Sequence, residues 1–218
     1  MITMRESKET ILAFGKGRLF DETLSQFKFK FNELEPELIH NQILFHKEND
    51  MVCVTMRHAD LPFMLEKKYI DIAVGSSVWF LNNTNQNLRK AFDMNCKNYR
   101  LSVISKNKTS LSNIRRVATR FENIARDYFL KHDMDIEIIP MSGNHEVSLL
   151  LGFADAIIDV VETGNTIKRL HLNEIEVIAS LGHEIWLRDD ENFATLADKV
   201  GSLLNSNSLF PAYDKTFV

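Results

Sequence analysis

Short apolar runs alternate along the chain with segments whose apolar residues recur at helical spacing. Thr10–Phe14 predicts a first strand, and Leu19–Phe27 behind it has the spacing of an amphipathic helix. Met51–Thr55 and Ile70–Val74 predict two further strands, with a helix beginning near Pro62 between them. Strands that alternate with helices favour parallel sheets covered by helices, so the predicted class is α/β.

The second half of the chain repeats this alternation after the Asn-rich stretch 82–87, which predicts a loop. The predicted strands are Tyr99–Ser105, Arg116–Thr119, Ile136–Ile139, Ala156–Val160, Ile175–Ser180 and Glu184–Leu187. The predicted helices are Glu122–His132, Glu146–Leu150 and Phe193–Leu204. We therefore expect two α/β lobes with a cleft between them, lobe I from residues 1–94 and 179–218 and lobe II from residues 95–178.

Composition narrows the range of partners. A formal net charge of −4 over 218 residues leaves no basic excess, so we expect no nucleic-acid partner. No apolar run reaches the length of about eighteen residues that a membrane span needs, and no signal peptide is evident. Cys53 and Cys96 lack a CxxC spacing and predict structural thiols, and the histidines lack the HExxH pattern of a zinc site. These features predict a reduced, cytoplasmic protein without a membrane partner.

The segment from Asp155 to Thr166 is the most informative stretch. The predicted strand Ala156–Val160 leads into the turn Thr163-Gly164-Asn165-Thr166. Consecutive backbone N–H groups in such a turn, with a helix N-terminus at Thr166, form an anion site to which the threonine hydroxyls add donors. The segment predicts a phosphomonoester site, while the turn taken by itself also suits an ordinary strand-to-helix connection.

Two acids accompany this predicted strand. In an extended chain Asp155 and Asp159 share a face but lie about 13 Å apart, because each residue advances about 3.3 Å. They cannot both hold one ribose. Asp159 is nearer the turn and is the candidate for binding sugar hydroxyls or a Mg²⁺ bound through them, with Glu162 beside it. We expect Asp155 to orient the entrance of the strand instead.

The chain as a whole resembles the ATP phosphoribosyltransferase family, the enzymes that open histidine biosynthesis. The family pattern E-x-x-P-x-x-G-x-A-D-x-I-x-D-x-x-x-T-G-x-T is similar to Glu146 through Thr166. Further matches, in order along the chain, are Lys16-Gly17-Arg18-Leu19, Arg57 with Asp60 and Pro62, and Val117-Ala118-Thr119-Arg120. The sequence departs from the pattern where Leu149 replaces the proline, and where Asp71 to Ser77 displaces a glycine and lacks the second acid of the D-x-G-x-x-G-x-D run.

The resemblance implies a bilobal, periplasmic-binding-protein-like fold of type II. It implies that adenine N1 of ATP attacks C1 of phosphoribosyl pyrophosphate and that pyrophosphate departs with help from Mg²⁺. The residues implied to bind phosphoribosyl pyrophosphate are Asp159, Val160, Val161, Glu162, Thr163, Gly164, Asn165 and Thr166. Lys16, Arg18 and Arg57 are expected to face pyrophosphate or triphosphate, and Glu146 to contact nucleotide. Asp159, Lys16 and Arg18 are the expected catalytic residues.

The resemblance also bears on partners. The chain ends soon after the predicted helix Phe193–Leu204, as in the short form of the family, which implies a regulatory subunit resembling histidyl-tRNA synthetase and a homodimer within a larger hetero-oligomer. Two alternatives stay open at this point. One is a non-catalytic bilobal solute-binding module, and the other is a phosphoribosyltransferase for a different base.

Overall fold

The computed structural model describes residues 9–28, 45–48, 50–205 and 210–211, and these fall into two compact units. Unit 1 comprises Met1–Phe80, Asn85–Lys97 and Gly182–Val218, and unit 2 comprises Leu81–Thr84 and Asn98–Leu181. The chain therefore enters unit 2 briefly at Leu81–Thr84, forms most of it from Asn98 to Leu181 and returns to unit 1 at Gly182. No helix among the described residues is long and apolar enough to cross a membrane.

Twelve strands and seven α-helices make up the described residues. The strands are β1 (Thr10–Lys16), β2 (Phe45–Glu48), β3 (Met51–Arg57), β4 (Ile72–Ser76), β5 (Leu88–Asp93), β6 (Tyr99–Ser105), β7 (Arg116–Thr119), β8 (Glu137–Pro140), β9 (Ala156–Val161), β10 (Asn173–Leu181), β11 (His183–Arg188) and β12 (Phe210–Pro211). The helices are α1 (Phe20–Leu24), α2 (Leu61–Glu66), α3 (Ser77–Leu81), α4 (Glu122–Lys131), α5 (Glu146–Leu151), α6 (Asn165–Arg169) and α7 (Phe193–Leu203). Two 3₁₀ turns span His58–Asp60 and Leu111–Asn113.

Unit 1 is a seven-stranded sheet in the order β12-β5-β11-β4-β1-β3-β2. Strands β3, β1 and β4 run parallel, and β11 returns antiparallel between β4 and β5. One side of the sheet packs Leu12, Phe14 and Cys53 against α7, and Ala13 and Ala73 pack with Leu61 of α2. Burial of both faces explains why β1 and β4 read as continuous apolar runs.

Unit 2 is a five-stranded sheet in the order β10-β6-β9-β7-β8. Strands β9, β7 and β8 are parallel, whereas β6 pairs antiparallel with both β9 and β10. Strand β9 therefore lies inside the sheet, and its residues Ile157 and Val161 pack with Leu149 of α5. This packing holds both ends of β9 through apolar contacts.

The predicted α/β class is confirmed, but the expectation of parallel sheets is wrong, because each sheet is mixed. Strands β1, β3, β4 and β9 run further than predicted, so β1 ends at Lys16 and β4 ends at Ser76. Strand β5 was missed because its side chains are all half-buried and mix charged with apolar residues. Strands β2 and β12 lie at the two edges of the larger sheet and were also not predicted.

Asp155 orients the entrance of β9, as expected. Its Oδ2 accepts hydrogen bonds from the backbone N–H groups of Arg115 at 3.1 Å and Arg116 at 2.9 Å. Its Oδ1 accepts a further one from Arg116 Nη2 at 2.9 Å. The Asp155 carboxylate thus joins the start of β9 to the start of β7. Its hydrogen bonds within the protein explain its structural role.

Replacing Asp155 by asparagine should lower the stability of the chain at neutral pH. Burial raises the pKa of Asp155, but the hydrogen bonds from the Arg116 side chain and from the two backbone N–H groups outweigh it and leave the pKa below its usual value. The stabilisation is therefore complete above the ordinary aspartate pKa of about 3.9, and it is lost as pH falls through the lowered native pKa. Urea unfolding of the wild type and of Asp155→Asn should show that the difference between their free energies of unfolding shrinks as pH falls through the acid range. A difference that does not depend on pH would contradict this explanation.

Candidate functional site

Strand β9, which leads into the glycine turn, ends at Val161, one residue later than the sequence predicts. Val160 and Val161 still pair with β6, and Val161 is buried in the core, so its side chain is not available to a ligand. Helix α6 begins at Asn165 rather than Thr166, with Gly164 as its N-cap. Gly164 has φ +72°, a conformation that glycine adopts without strain.

The turn is open on its outer side. A Cβ atom added at Gly164 would meet no heavy atom within 4 Å, and Thr163, Asn165 and Thr166 are exposed. The backbone N–H of Asn165 lies 3.4 Å from Thr163 Oγ1, which closes the turn locally. An anion can therefore approach the backbone here without displacing protein atoms.

Asp159 lies on β9 just before this turn and is held on both carboxylate oxygens. Its Oδ1 accepts a hydrogen bond from the backbone N–H of Val160 at 2.8 Å. Its Oδ2 lies 2.8 Å from Nδ1 of His145, a side chain with no solvent exposure. The Asp159 side chain itself remains 27% exposed, so a ligand can still reach it.

His145 contacts an acceptor with each ring nitrogen, since its Nε2 lies 3.0 Å from the carbonyl oxygen of Met141. Only an imidazolium can donate from both nitrogens at once. Burial lowers the pKa of His145 and so does the charge of Arg120, but the hydrogen bond and charge of Asp159 and the Met141 carbonyl raise it more. The pKa of His145 consequently lies above its ordinary value.

Unit 1 gathers cations at the carboxyl ends of its parallel strands. Lys16 ends β1 and Arg57 ends β3, and the two residues are direct partners in the β1–β3 register. Arg18 follows two residues after Lys16 in the turn that leads to α1. Arg18 and Arg57 are exposed and Lys16 is half-buried. Sequence reasoning named these three residues, and the structure brings Lys16 and Arg57 side by side.

His58 lies beside these cations and is held in the opposite charge state from His145. The backbone N–H of Ser76 donates to its Nδ1 at 3.1 Å, so this nitrogen carries no proton. Burial lowers the pKa of His58 to about 4. The same cause, with the neighbouring His58, lowers the pKa of His183 to about 4, and the two rings lie 5.1 Å apart. Both imidazoles are therefore neutral at physiological pH.

The remaining candidate, Glu146, and the positions that depart from the family pattern lie among contacts that stabilise the fold. Glu146 is the first residue of α5 and is half-buried, and Leu149, which replaces the family's proline, is buried in the unit 2 core. Asp71 accepts a hydrogen bond from the backbone N–H of Ile11 and pairs with Arg188, so it joins β1 to β11. Ser77 begins α3 and its backbone N–H donates to the carbonyl of Gly182.

Neither Cys53 nor Cys96 forms a disulfide among the described residues, and the neighbours of each are those of a structural side chain. Cys53 is buried in the unit 1 core, as its apolar neighbours indicate. Cys96 accepts a hydrogen bond from Gln26 and contacts Thr23 Oγ1, and burial is the main cause that raises its pKa. A raised pKa disfavours the nucleophilic thiolate.

Sequence reasoning missed the two histidines that matter most, His145 and His58. His145 precedes the candidate Glu146 and His58 follows the candidate Arg57. A single histidine, however, forms no spaced motif that would mark it as functional. Nothing in the sequence relates His145 to Asp159, which lies fourteen residues away. In the described ranges, no group of three or more His, Cys, Asp or Glu side chains is arranged to hold a metal ion.

Comparison with solved structures identifies the class. The chain is similar to an ATP phosphoribosyl transferase (HisG:HisZ) complex from Thermotoga maritima, with TM-score 0.70 and 24% identity over 88% of this chain and 94% of that one. It is also similar to Tv2483 bound to L-arginine, with TM-score 0.55 and 16% identity over 90% and 83% of the two chains. These likenesses show the fold, which is the two-lobe α/β fold of the periplasmic-binding-protein type II class.

Sequence comparison identifies the family. A family model described as ATP phosphoribosyltransferase matches residues 57–205. An ATP phosphoribosyltransferase of Variovorax paradoxus is 32% identical over 178 residues, which is 78% of this chain and 84% of that relative. The chain belongs to the ATP phosphoribosyltransferase family.

Replacing Gly15 by alanine should destabilise unit 1, because the added Cβ would lie 2.0 Å from His58 Nδ1. Overpacking of this kind costs about 1 to 3 kcal/mol of the free energy of unfolding. The same substitution made together with His58→Ala should cost much less, because the obstructing ring is gone. A double-mutant cycle by urea unfolding measures the coupling, and an equal cost in both backgrounds would show that the contact with His58 is unimportant.

Proposed function

We propose that the chain transfers the 5-phosphoribosyl group from phosphoribosyl pyrophosphate to N1 of the ATP adenine and releases pyrophosphate, which is the first step of histidine biosynthesis. The family match over residues 57–205 carries this proposal. The local chemistry supports it, because Asp159 and an open glycine turn follow one another along β9 and α6. A sugar phosphate needs these two kinds of group, an acceptor for hydroxyls and a set of donors for phosphate.

In the proposed reaction the turn Thr163–Thr166 binds the 5-phosphate through backbone N–H groups and hydroxyls. Asp159 accepts hydrogen bonds from the ribose hydroxyls and stabilises the positive charge that develops on the ribose as pyrophosphate leaves. Glu162 lies between the two and completes the acidic side of the sugar site. No covalent enzyme intermediate is required, because adenine N1 is the nucleophile.

Lys16, Arg18 and Arg57 are the proposed ligands of pyrophosphate or triphosphate. Two of them end adjacent parallel strands, so their charges are held close together before a ligand binds. Preorganised cations favour a leaving group on which negative charge accumulates. The neutral state of His58 adds no charge to this group, and Glu146 is the proposed contact to nucleotide in unit 2.

Mg²⁺ is the proposed cofactor, and it would reach the site with the pyrophosphate group. A Mg²⁺ ion commonly keeps several waters and uses substrate phosphates in place of an all-protein cage. The partly exposed carboxylate of Asp159 suits this arrangement, because it can meet the ion through the ribose hydroxyls. The ion would neutralise charge on the departing pyrophosphate.

A reaction assay separates this proposal from its alternatives. The purified chain is mixed with ATP, phosphoribosyl pyrophosphate and Mg²⁺, and product is followed by the ultraviolet change of the adenine and by pyrophosphate release. Transfer to ATP supports the proposal. Transfer only to another base would favour a different phosphoribosyltransferase, and tight binding without any product would favour a solute-binding module. We propose the cytoplasm as the compartment, since its reducing conditions suit cysteines that remain thiols, as Cys53 and Cys96 do.

Gly164→Val should abolish binding of phosphoribosyl pyrophosphate, because a side chain would then stand where the phosphate approaches the backbone. Gly152→Val is the matched control. Gly152 has φ +76° against +72° at Gly164, and a Cβ at either position meets nothing within 4 Å, so the backbone strain is the same. Calorimetric titration should show binding in the control alone. Undiminished affinity in folded Gly164→Val would remove the turn from the site.

Asp159→Asn should lower turnover by about 10²-fold, in the range for one preorganised electrostatic group. Asp155→Asn is the control, since it removes the same charge from the far end of the same strand segment, where Arg116 holds it. Turnover of the control should stay near that of the wild type at a temperature at which it is folded. Equal losses in the two variants would point to stability and not to a role in the reaction.

We also propose a homodimer that joins a larger hetero-oligomer with a regulatory subunit resembling histidyl-tRNA synthetase. The similar Thermotoga maritima structure is described as a HisG:HisZ complex, which supports this proposal. Allosteric control requires a second site whose ligand distinguishes two states of the assembly, and the partner would carry that site.

The isolated chain should then keep its activity in the presence of histidine, and a mixture with a HisZ-type subunit should lose it. Size-exclusion chromatography should show the mixture eluting as a larger species than either component. Inhibition of the isolated chain by histidine, with no larger species in the mixture, would contradict the proposed partner.

A further inference from the structure

The proposed reaction assigns a role to Asp159 but none to His145, which contacts it. This contact joins the N-terminal end of α5 to the carboxyl-terminal part of β9, and both groups lie within unit 2. The imidazole has no solvent exposure, so it cannot itself touch a substrate that arrives from solvent. Any effect of His145 on the reaction must act through Asp159.

The His145 ring is held firmly from its own side. Its Nε2 donates to the carbonyl oxygen of Met141, and its backbone carbonyl accepts hydrogen bonds from the backbone N–H and the hydroxyl of Ser148. The ring therefore presents Nδ1 in one direction, toward Asp159 Oδ2. A buried donor with a fixed direction restricts the rotation of the carboxylate that accepts from it.

We propose that His145 is a positioning residue of the phosphoribosyl site, which holds the Asp159 carboxylate in the orientation that the ribose requires. Together, His145 and the Val160 N–H fix one hydrogen bond on each carboxylate oxygen and leave the remaining lone pairs toward the exposed side. This inference rests on the proposed function, because it requires Asp159 to act on the ribose.

The charge of the ring has a second effect at this site. Asp159 and Glu162 are acids beside a turn that would bind a phosphate, and a carboxylate close to a phosphate repels it. The imidazolium, donating from both nitrogens, offsets the charge of Asp159 from the buried side. Arg120 also acts on His145 electrostatically, and its guanidinium lies near Gly143 in the loop that precedes α5.

Two substitutions of His145 each remove one of the two hydrogen bonds that its ring makes. Asparagine keeps an N–H group near the position of Nδ1 and loses the one at Nε2, whereas glutamine keeps the group near Nε2 and loses the one at Nδ1. Both variants are neutral. His145→Asn therefore preserves the hydrogen bond to Asp159, and His145→Gln preserves the one to Met141 and fills more of the buried volume.

The experiment measures turnover and thermal stability of the full chain with ATP, phosphoribosyl pyrophosphate and Mg²⁺, for both variants and for each combined with Asp159→Asn. We expect His145→Gln to lose about tenfold in turnover and His145→Asn to stay within about threefold of the wild type. The KM for ATP should not change in either. In the Asp159→Asn background, adding His145→Gln should lower turnover by less than a further factor of about two, because the effect of His145 passes through the Asp159 carboxylate.

The outcomes separate this inference from the proposed function. If Asp159→Asn is impaired and His145→Gln is not, or if the two losses multiply in full, His145 has no positioning role while the role of Asp159 stands. If turnover follows thermal stability, with glutamine better than asparagine, His145 is only a packing residue and the inference is overturned. If Asp159→Asn keeps wild-type turnover, the proposed role of Asp159 fails, and the inference fails with it.

Discussion

The position of β9 inside the unit 2 sheet is the constraint on which the candidate site depends. Pairing with β6 on one side and β7 on the other fixes its register. Asp155 at its entrance is then occupied by Arg115 and Arg116, while Asp159 near its end stays partly exposed. Two acids four residues apart thus have different tasks because the sheet holds the two ends of one strand in different surroundings.

Two histidines show how burial and hydrogen-bond partners decide charge. His145 is buried and His58 is partly buried, and burial disfavours the cation in each. His145 faces a carboxylate and a carbonyl oxygen, which favour its cationic form, whereas His58 accepts from the backbone N–H of Ser76 and is neutral. The cation lies behind the proposed ribose ligand, and the neutral ring lies beside the cationic residues Lys16 and Arg57, where a further charge would be repelled.

Much of the fold could be predicted from the sequence, and less of the site. Strands such as β6 and β7 can be predicted from the apolar residues of each segment alone. The predicted ends of helices α4 and α5 agree with the structure to within one residue. The half-buried β5 has no such pattern, and the antiparallel return of β11 depends on the chain crossing back between units. The contact of His145 with Asp159 depends on how α5 packs against β9, which no spacing in the sequence records.

Amide hydrogen exchange of the full chain, with and without phosphoribosyl pyrophosphate and Mg²⁺, tests most directly that the substrate binds at the end of β9. We expect the ligand to slow exchange of the backbone N–H groups of residues 163–166, because they bind its phosphate in the proposed reaction. Exchange in the segment around Gly152 should stay unchanged. Binding that protects other segments and leaves residues 163–166 exchanging at their ligand-free rate would contradict this placement of the substrate.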